Sequence, residues 1–99
     1  MHTNSQYEPI RAKKIRLSKH AKHRCAQRAI DAGALNLVVS FGNREYDNRG
    51  GVRYTMTGDA MTRMTRALGS TAQMERLRDT YVVVDAETQT SVITAGHLH

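Results

Sequence analysis

Small apolar residues recur every four positions near the start of the chain, at Ala21, Cys25 and Ala29. This spacing is the period of one helix face. Ser18 precedes the run, and serine is a favoured N-cap because its hydroxyl accepts a hydrogen bond from the first helical turn. We therefore predict a helix from Lys19 to about Ala29, whose small side chains allow close packing against a neighbour.

A second apolar pattern follows after a short break. Asp31 can cap a helix in which Leu35, Val38 and Val39 fit the i, i+3, i+4 spacing, and Gly42 would end it. The β-branched residues leave a strand open as an alternative, and the spacing favours the helix.

The middle of the chain predicts a hairpin and two short helices. The segment REYDNRGGVRYTMTG fits two strands over 44–47 and 52–57, joined by a turn over 48–51. Methionines and a leucine then predict a short helix after Asp59. Ser70 and Gln73 form a candidate capping box for a further short helix through Leu77.

The C-terminal segment predicts two strands. TYVVVD is a nearly continuous apolar run, as expected of a central strand, and SVITA follows it after the turn AETQT. His97 follows this last predicted strand. The order of elements predicts an α+β domain with helices against one face of an antiparallel sheet.

Positive charge is concentrated at the N-terminal end. The net charge is +6, and eight of the fifteen lysines and arginines lie between positions 11 and 28, where there is no acid. A field of one sign attracts polyanions, of which nucleic acid is the commonest in cells. We predict a basic N-terminal arm over residues 1–16 and one domain over residues 17–99. A solvated basic tail that aids solubility is the alternative.

The cellular compartment is predicted from the absence of membrane, secretory and disulfide features in the sequence. No apolar run has the length of a membrane span, and no secretory signal pattern begins the chain. Cys25 is the one cysteine and has no partner for an internal disulfide. We expect a cytoplasmic protein with no membrane partner.

Three blocks of sequence together resemble a known family. They are SKHAKHRCAQRAID, GGVRYTMTGDA and YVVVDAETQTSVITAGH, in that order. They are similar to a family of small bacterial domains of unknown function with the signature S-x-H-A-x-x-R-x-x-x-R-x-I. That family resembles the BrnT and RelE toxins, grouped with metal-independent ribonucleases of the barnase and RelE kind.

The resemblance implies a fold, an activity and a partner. The fold would be one or two N-terminal helices packed on a four-stranded antiparallel sheet. The activity would be that of a toxin-like endoribonuclease that acts on RNA without metal or cofactor. The partner, besides RNA, would be an acidic antitoxin-like protein that covers the basic face.

The candidate catalytic residues are His20, Arg24, Arg28 and His97. The first three are spaced i, i+4, i+8 and share one helix face. Histidine suits proton transfer to and from RNA oxygens, and the arginine fork suits phosphate. His97 could face His20 if the last strand runs beside the first helix. In the alternative, His20 bonds a strand, the arginines are solvated, and His97 is a flexible terminal residue.

Further residues are candidates for nucleic-acid binding, namely Lys19, Lys22, His23, Arg53 and Tyr54. An exposed tyrosine on a sheet can stack a base, although strand tyrosines are more often packing residues. Thr94 could bond a phosphate oxygen. No metal site is expected, because His20 and His23 are three apart and no carboxylate cluster joins them.

Two classes of function remain open beside a purely structural role. The first is a toxin-like metal-independent endoribonuclease. The second is a non-catalytic basic module that binds nucleic acid or a partner protein, such as an accessory protein of a bacterial mobile element.

Overall fold

The computed structural model describes residues 15–98, and within that range the chain forms four helices and five strands. Their order is β1 (Arg16–Leu17), α1 (Lys19–Gln27), α2 (Ala32–Phe41), β2 (Asn43–Tyr46), β3 (Gly51–Thr55), α3 (Gly58–Leu68), α4 (Ala72–Glu75), β4 (Thr80–Asp85) and β5 (Ser91–His97). The predicted basic arm over residues 1–16 lies outside the described residues, except for Ile15 and Arg16.

Side-chain caps fix where the first two helices begin, as predicted. The Ser18 hydroxyl accepts a hydrogen bond from the Ala21 amide at 3.0 Å, and the Asp31 carboxylate accepts one from the Ala34 amide at 2.8 Å. Gly42 is the C-cap of α2. Each cap satisfies a backbone donor that the first turn leaves unpaired. The helix interpretation of residues 32–41 is therefore confirmed over the strand alternative.

The two later helices begin at threonines that the sequence analysis did not select. Thr57 caps α3, an eleven-residue helix. Thr71 caps α4, because its hydroxyl accepts from the Met74 amide at 3.1 Å. The predicted capping box from Ser70 is therefore wrong, and α4 ends at Glu75.

The sheet has five strands in the order β1-β5-β4-β3-β2. β1 pairs with β5 in parallel, and the other neighbours are antiparallel. The α+β class is confirmed, but the expected four-stranded antiparallel sheet is corrected to a mixed five-stranded one. β5 also extends past the predicted SVITA, because Gly96 pairs with Tyr81 and His97 pairs with Thr80. His97 is thus part of the last strand and does not follow it.

One face of the sheet carries the core. Along β4, Thr80, Val82 and Val84 are buried, whereas the residues between them are half-buried. This alternation is typical of a strand with helices on one side only. Tyr54 lies on the covered face and is 6% exposed. The opposite face, here called the open face, carries Arg53, Tyr81, Val83 and Thr94, which the strand register brings to one side.

The loop between β2 and β3 is organised by one carboxylate. Asp47 accepts hydrogen bonds from the backbone amides of Arg49 at 2.7 Å and Gly51 at 2.9 Å. These two bonds hold the pKa of the Asp47 carboxyl below its usual range. Asn48 and Gly50 supply the positive φ angles, 62° and 86°, that the turn requires.

We predict that Asp47→Ala lowers the melting temperature at pH 7. The ionised carboxylate stabilises the folded loop. Its contribution to the free energy of unfolding is complete above the unfolded pKa of about 3.9, and it is lost as pH falls through the lower folded pKa. Thermal unfolding between pH 7 and pH 2 should therefore show a deficit that shrinks with acid. Asp47→Asn, which keeps an acceptor without charge, is the matched control. A deficit that is constant down to pH 2 would contradict the assignment.

Candidate functional site

Helix α1 lies along the outer side of β5. The Ser18 amide donates to the Val92 carbonyl at 3.3 Å, next to the point where β1 ends. Ala21 and Ala95 are 0% exposed and Cys25 is 5% exposed. Small side chains on both elements allow this close approach. We call the line of contact between α1 and β5 the seam.

His20 crosses the seam to reach the open face. Its Nε2 lies 3.3 Å from the Thr94 hydroxyl, in hydrogen-bond contact. The side chain is exposed, and its Nδ1 has no hydrogen-bond partner within residues 15–98. The contact fixes the ring while leaving one nitrogen available to solvent or ligand.

Tyr81 brings a phenol toward the same seam. A Cβ placed on Gly96 would lie 2.9 Å from the Tyr81 hydroxyl and 3.1 Å from two ring carbons. The ring of Tyr81 therefore leans from β4 over Gly96 on β5, and any side chain there would displace it. Thr94 and Gly96 lie two residues apart on the open face, which places the phenol near His20 along the strand.

Arg24 follows His20 by one helical turn on the same face of α1. Two contacts mark the ends of the seam: His20 with Thr94, and the Arg28 carbonyl with His97. Arg24 lies between His20 and Arg28 on the helix, so it lies beside the part of β5 between Thr94 and His97. Its Nε is inaccessible to solvent and has no hydrogen-bond partner within the described chain. A buried donor without an acceptor costs about 1–3 kcal/mol. One polar donor of the half-buried Arg24 is thus left unpaired among the described residues.

The rest of α1 and its C-cap present exposed basic side chains. Lys19, Lys22, His23 and Arg28 are all exposed. In the part of the chain that the structure describes, the ion pairs are Arg53 with Glu45 at 3.2 Å and Arg78 with Glu75 at 2.7 Å. No acid in residues 15–98 neutralises α1, and this surface therefore attracts anions.

Two predicted binding residues lie elsewhere. Arg53 is exposed on the open face, paired with Glu45, and could reach a ligand there. Tyr54 is part of the core, so its ring offers no face to a base. The base-stacking role predicted for Tyr54 is corrected, because strand alternation turns it toward the helices.

His97 is tied into the opposite face of the sheet. Its Nδ1 lies 3.1 Å from the hydroxyl of the buried Thr80, and its Nε2 lies 3.5 Å from the Arg28 carbonyl. A carbonyl only accepts, so in the neutral ring Nε2 carries the proton and Nδ1 accepts from Thr80. Both ring nitrogens have protein partners. His20 and His97 contact opposite faces, so the structure does not bring the two predicted histidines together.

A cleft of about 740 Å³ opens beside His97, between the C-terminal end of α1, the start of α2 and the α4 region. Arg28 and Arg76 line it together with the side chains of Leu37, Met74 and Leu77. Arg28 therefore belongs to the basic face of α1 and to this cleft at once.

The remaining chemistry is limited. Burial raises the pKa of the Cys25 thiol, which sits in the core. No three of His, Cys, Asp and Glu come together as a metal-binding group among the described residues. Within the same range, no helix is long and apolar enough to cross a membrane.

No family model, curated protein or solved structure matches this chain. The likeness to BrnT and RelE toxins, and with it a toxin-like fold, stays a prediction. The function is therefore inferred from the chemistry of the seam itself.

The sequence analysis missed Tyr81 as a site residue. It stands inside the run TYVVVD, where continuous apolar character indicates burial on both faces. Only the observed strand register shows that Tyr81 and Val83 lie on the open face, whereas the alternate residues of β4 lie in the core. Its neighbour in the sheet, Gly96, was a usable signal, since a strand glycine marks a close approach by another group.

We predict that the two histidines respond independently to loss of their threonine partners. Thr94→Val should change the ¹⁵N chemical shifts of the His20 ring and leave those of His97 unchanged. Thr80→Val should do the reverse and lower the free energy of unfolding by about 0.5–1.5 kcal/mol, because it removes a buried hydrogen bond. Ring NMR spectra and urea unfolding measure both. Parallel changes in both rings from either variant would contradict the geometry.

Proposed function

We propose that this protein is a small RNA-directed domain that cleaves single-stranded RNA at the seam without a metal ion. The observation that carries the proposal is the contact of His20 with Thr94 on a helix whose cations have no acidic partner within residues 15–98. The resemblance to RelE-type and BrnT-type toxins implies the same activity.

The proposed reaction needs one proton acceptor, one proton donor and a cation. His20 takes the proton from the ribose 2′-hydroxyl, the 2′-oxygen forms a bond to phosphorus, and the bond to the 5′-oxygen breaks. The products are a 2′,3′-cyclic phosphate and a 5′-hydroxyl. The Tyr81 hydroxyl is the candidate donor to the leaving oxygen. Arg24 stabilises the charge on the non-bridging oxygens.

The cations of α1 would hold the RNA backbone on either side of that site. Lys19, Lys22, His23 and Arg28 contact phosphates without reading sequence. The exposed Arg53 extends the same surface across the open face. An acidic antitoxin-like protein would cover this surface by charge complementarity.

The second candidate is a non-catalytic module that binds RNA or another polyanion on the same surface. It is favoured by the separation of His20 from His97, because a paired histidine base and acid are not assembled. Binding through α1 needs only the cations, so both candidates share this surface and differ in the need for His20.

We predict that the purified protein cleaves labelled single-stranded RNA in EDTA and that His20→Asn abolishes cleavage while keeping RNA affinity within about threefold. Asparagine retains a polar group toward Thr94 but transfers no proton at neutral pH. Arg66→Ala, an exposed cation on α3, is the matched control and should cleave normally. Bound but intact RNA with the unaltered protein would leave the binding module as the function.

We also predict that the affinity for RNA depends on salt through α1. Each phosphate contact removed should flatten the slope of log K against log salt by about 0.7 for a single strand. Lys19→Ala and Lys22→Ala should each show this change in fluorescence anisotropy, and Arg66→Ala should not. An equal change in slope for all three variants would mean that RNA responds to the net charge of the protein and does not bind at α1.

A further inference from the structure

The cleft beside His97 has the size and composition of a ligand site. Its volume of about 740 Å³ lies within the range of small-molecule sites, about 300–1,000 Å³. Half-buried Leu37 and Met74 and buried Leu77 give it an apolar lining. A flat, apolar-faced group would displace water from this surface and gain contacts.

The polar groups around this lining favour a ligand with an anionic part. Arg28 and Arg76 are exposed cations at the cleft, and Gln73 adds an amide that both donates and accepts. Asp31 is the one acid in the lining, and its carboxylate already accepts from the Ala34 amide as the cap of α2. A nucleotide combines a phosphate, an apolar base face and a hydrogen-bonding base edge.

The cleft is continuous with the proposed RNA surface. Arg28, the C-cap of α1, follows His20 by eight residues, a distance of about 12 Å along the helix axis. An RNA backbone that follows His20, Arg24 and Arg28 therefore ends at the mouth of the cleft. Bases of a single strand are free to turn away from the backbone into such a site.

We infer that this cleft is a nucleobase subsite, which takes one base of the RNA whose backbone lies along α1. The inference rests on the proposed RNA binding and extends it from phosphate contact to base contact. The base packs against Met74 and Leu77, Gln73 meets its polar edge, and Arg28 and Arg76 hold the adjoining phosphate. RNA affinity would then have two separable parts, one from α1 and one from the cleft.

The test compares a single-stranded RNA hexamer with an abasic hexamer of the same length and charge. Fluorescence anisotropy should give at least tenfold tighter binding for the hexamer that carries bases. Ala34→Phe, which fills the cleft without changing charge, should remove that difference and leave abasic binding unchanged. Ala72→Phe, an exposed position outside the cleft, is the control and should preserve the difference.

A second measurement needs no variant. In the wild-type protein, the base-containing hexamer should shift the Met74 methyl resonance, and the abasic hexamer should not. Equal affinity of the two hexamers, or a Met74 methyl that does not shift, would overturn the subsite and leave phosphate binding by α1 intact. Absence of binding by either hexamer would overturn the proposed function together with the subsite.

Discussion

The close packing of α1 against β5 is the constraint on which the candidate site depends. Ala21 and Cys25 on the helix and Ala95 on the strand are small enough to bring the two backbones together. Because the helix is held there, His20 reaches Thr94 across the strand, and Arg24 lies one turn later, between this contact and that of the Arg28 carbonyl with His97. A larger residue at Ala21 or Ala95 would separate the elements and disperse the site without touching any of its polar groups.

The electrostatics of the seam follow from the same arrangement. Packing uses the small-residue side of α1, so its basic side is left facing solvent, where like charges repel along the helix. In residues 15–98 the recorded ion pairs lie on the hairpin and near α4, away from this helix. The repulsion between these cations is a cost that an anionic ligand would relieve. Such costs retained on one face are typical of a binding surface.

Local signals in the sequence predicted most of the elements. Ser18 and Asp31 act as caps because their short polar side chains satisfy amides three residues on, which depends on sequence alone. Ser70 and Thr71 are adjacent and both are good N-cap residues. Spacing alone therefore cannot decide which of them begins α4. The parallel pairing of β1 with β5 and the orientation of Tyr54 and Tyr81 arise from long-range register. The site combines residues from α1, β4 and β5, so identifying all of it required the three-dimensional structure. His20 and Arg24 alone were evident from helical spacing.

The measurement that tests the central claim most directly is a backbone-amide NMR titration with a single-stranded RNA in EDTA. RNA bound at the seam should shift the amides of α1 and those of Thr94 and Gly96, and leave those of α3 unchanged. The shifts should weaken as salt is raised, because phosphate contacts dominate the affinity. Shifts confined to other elements, or none at RNA concentrations that saturate a basic surface, would contradict the assignment of the seam as the functional site.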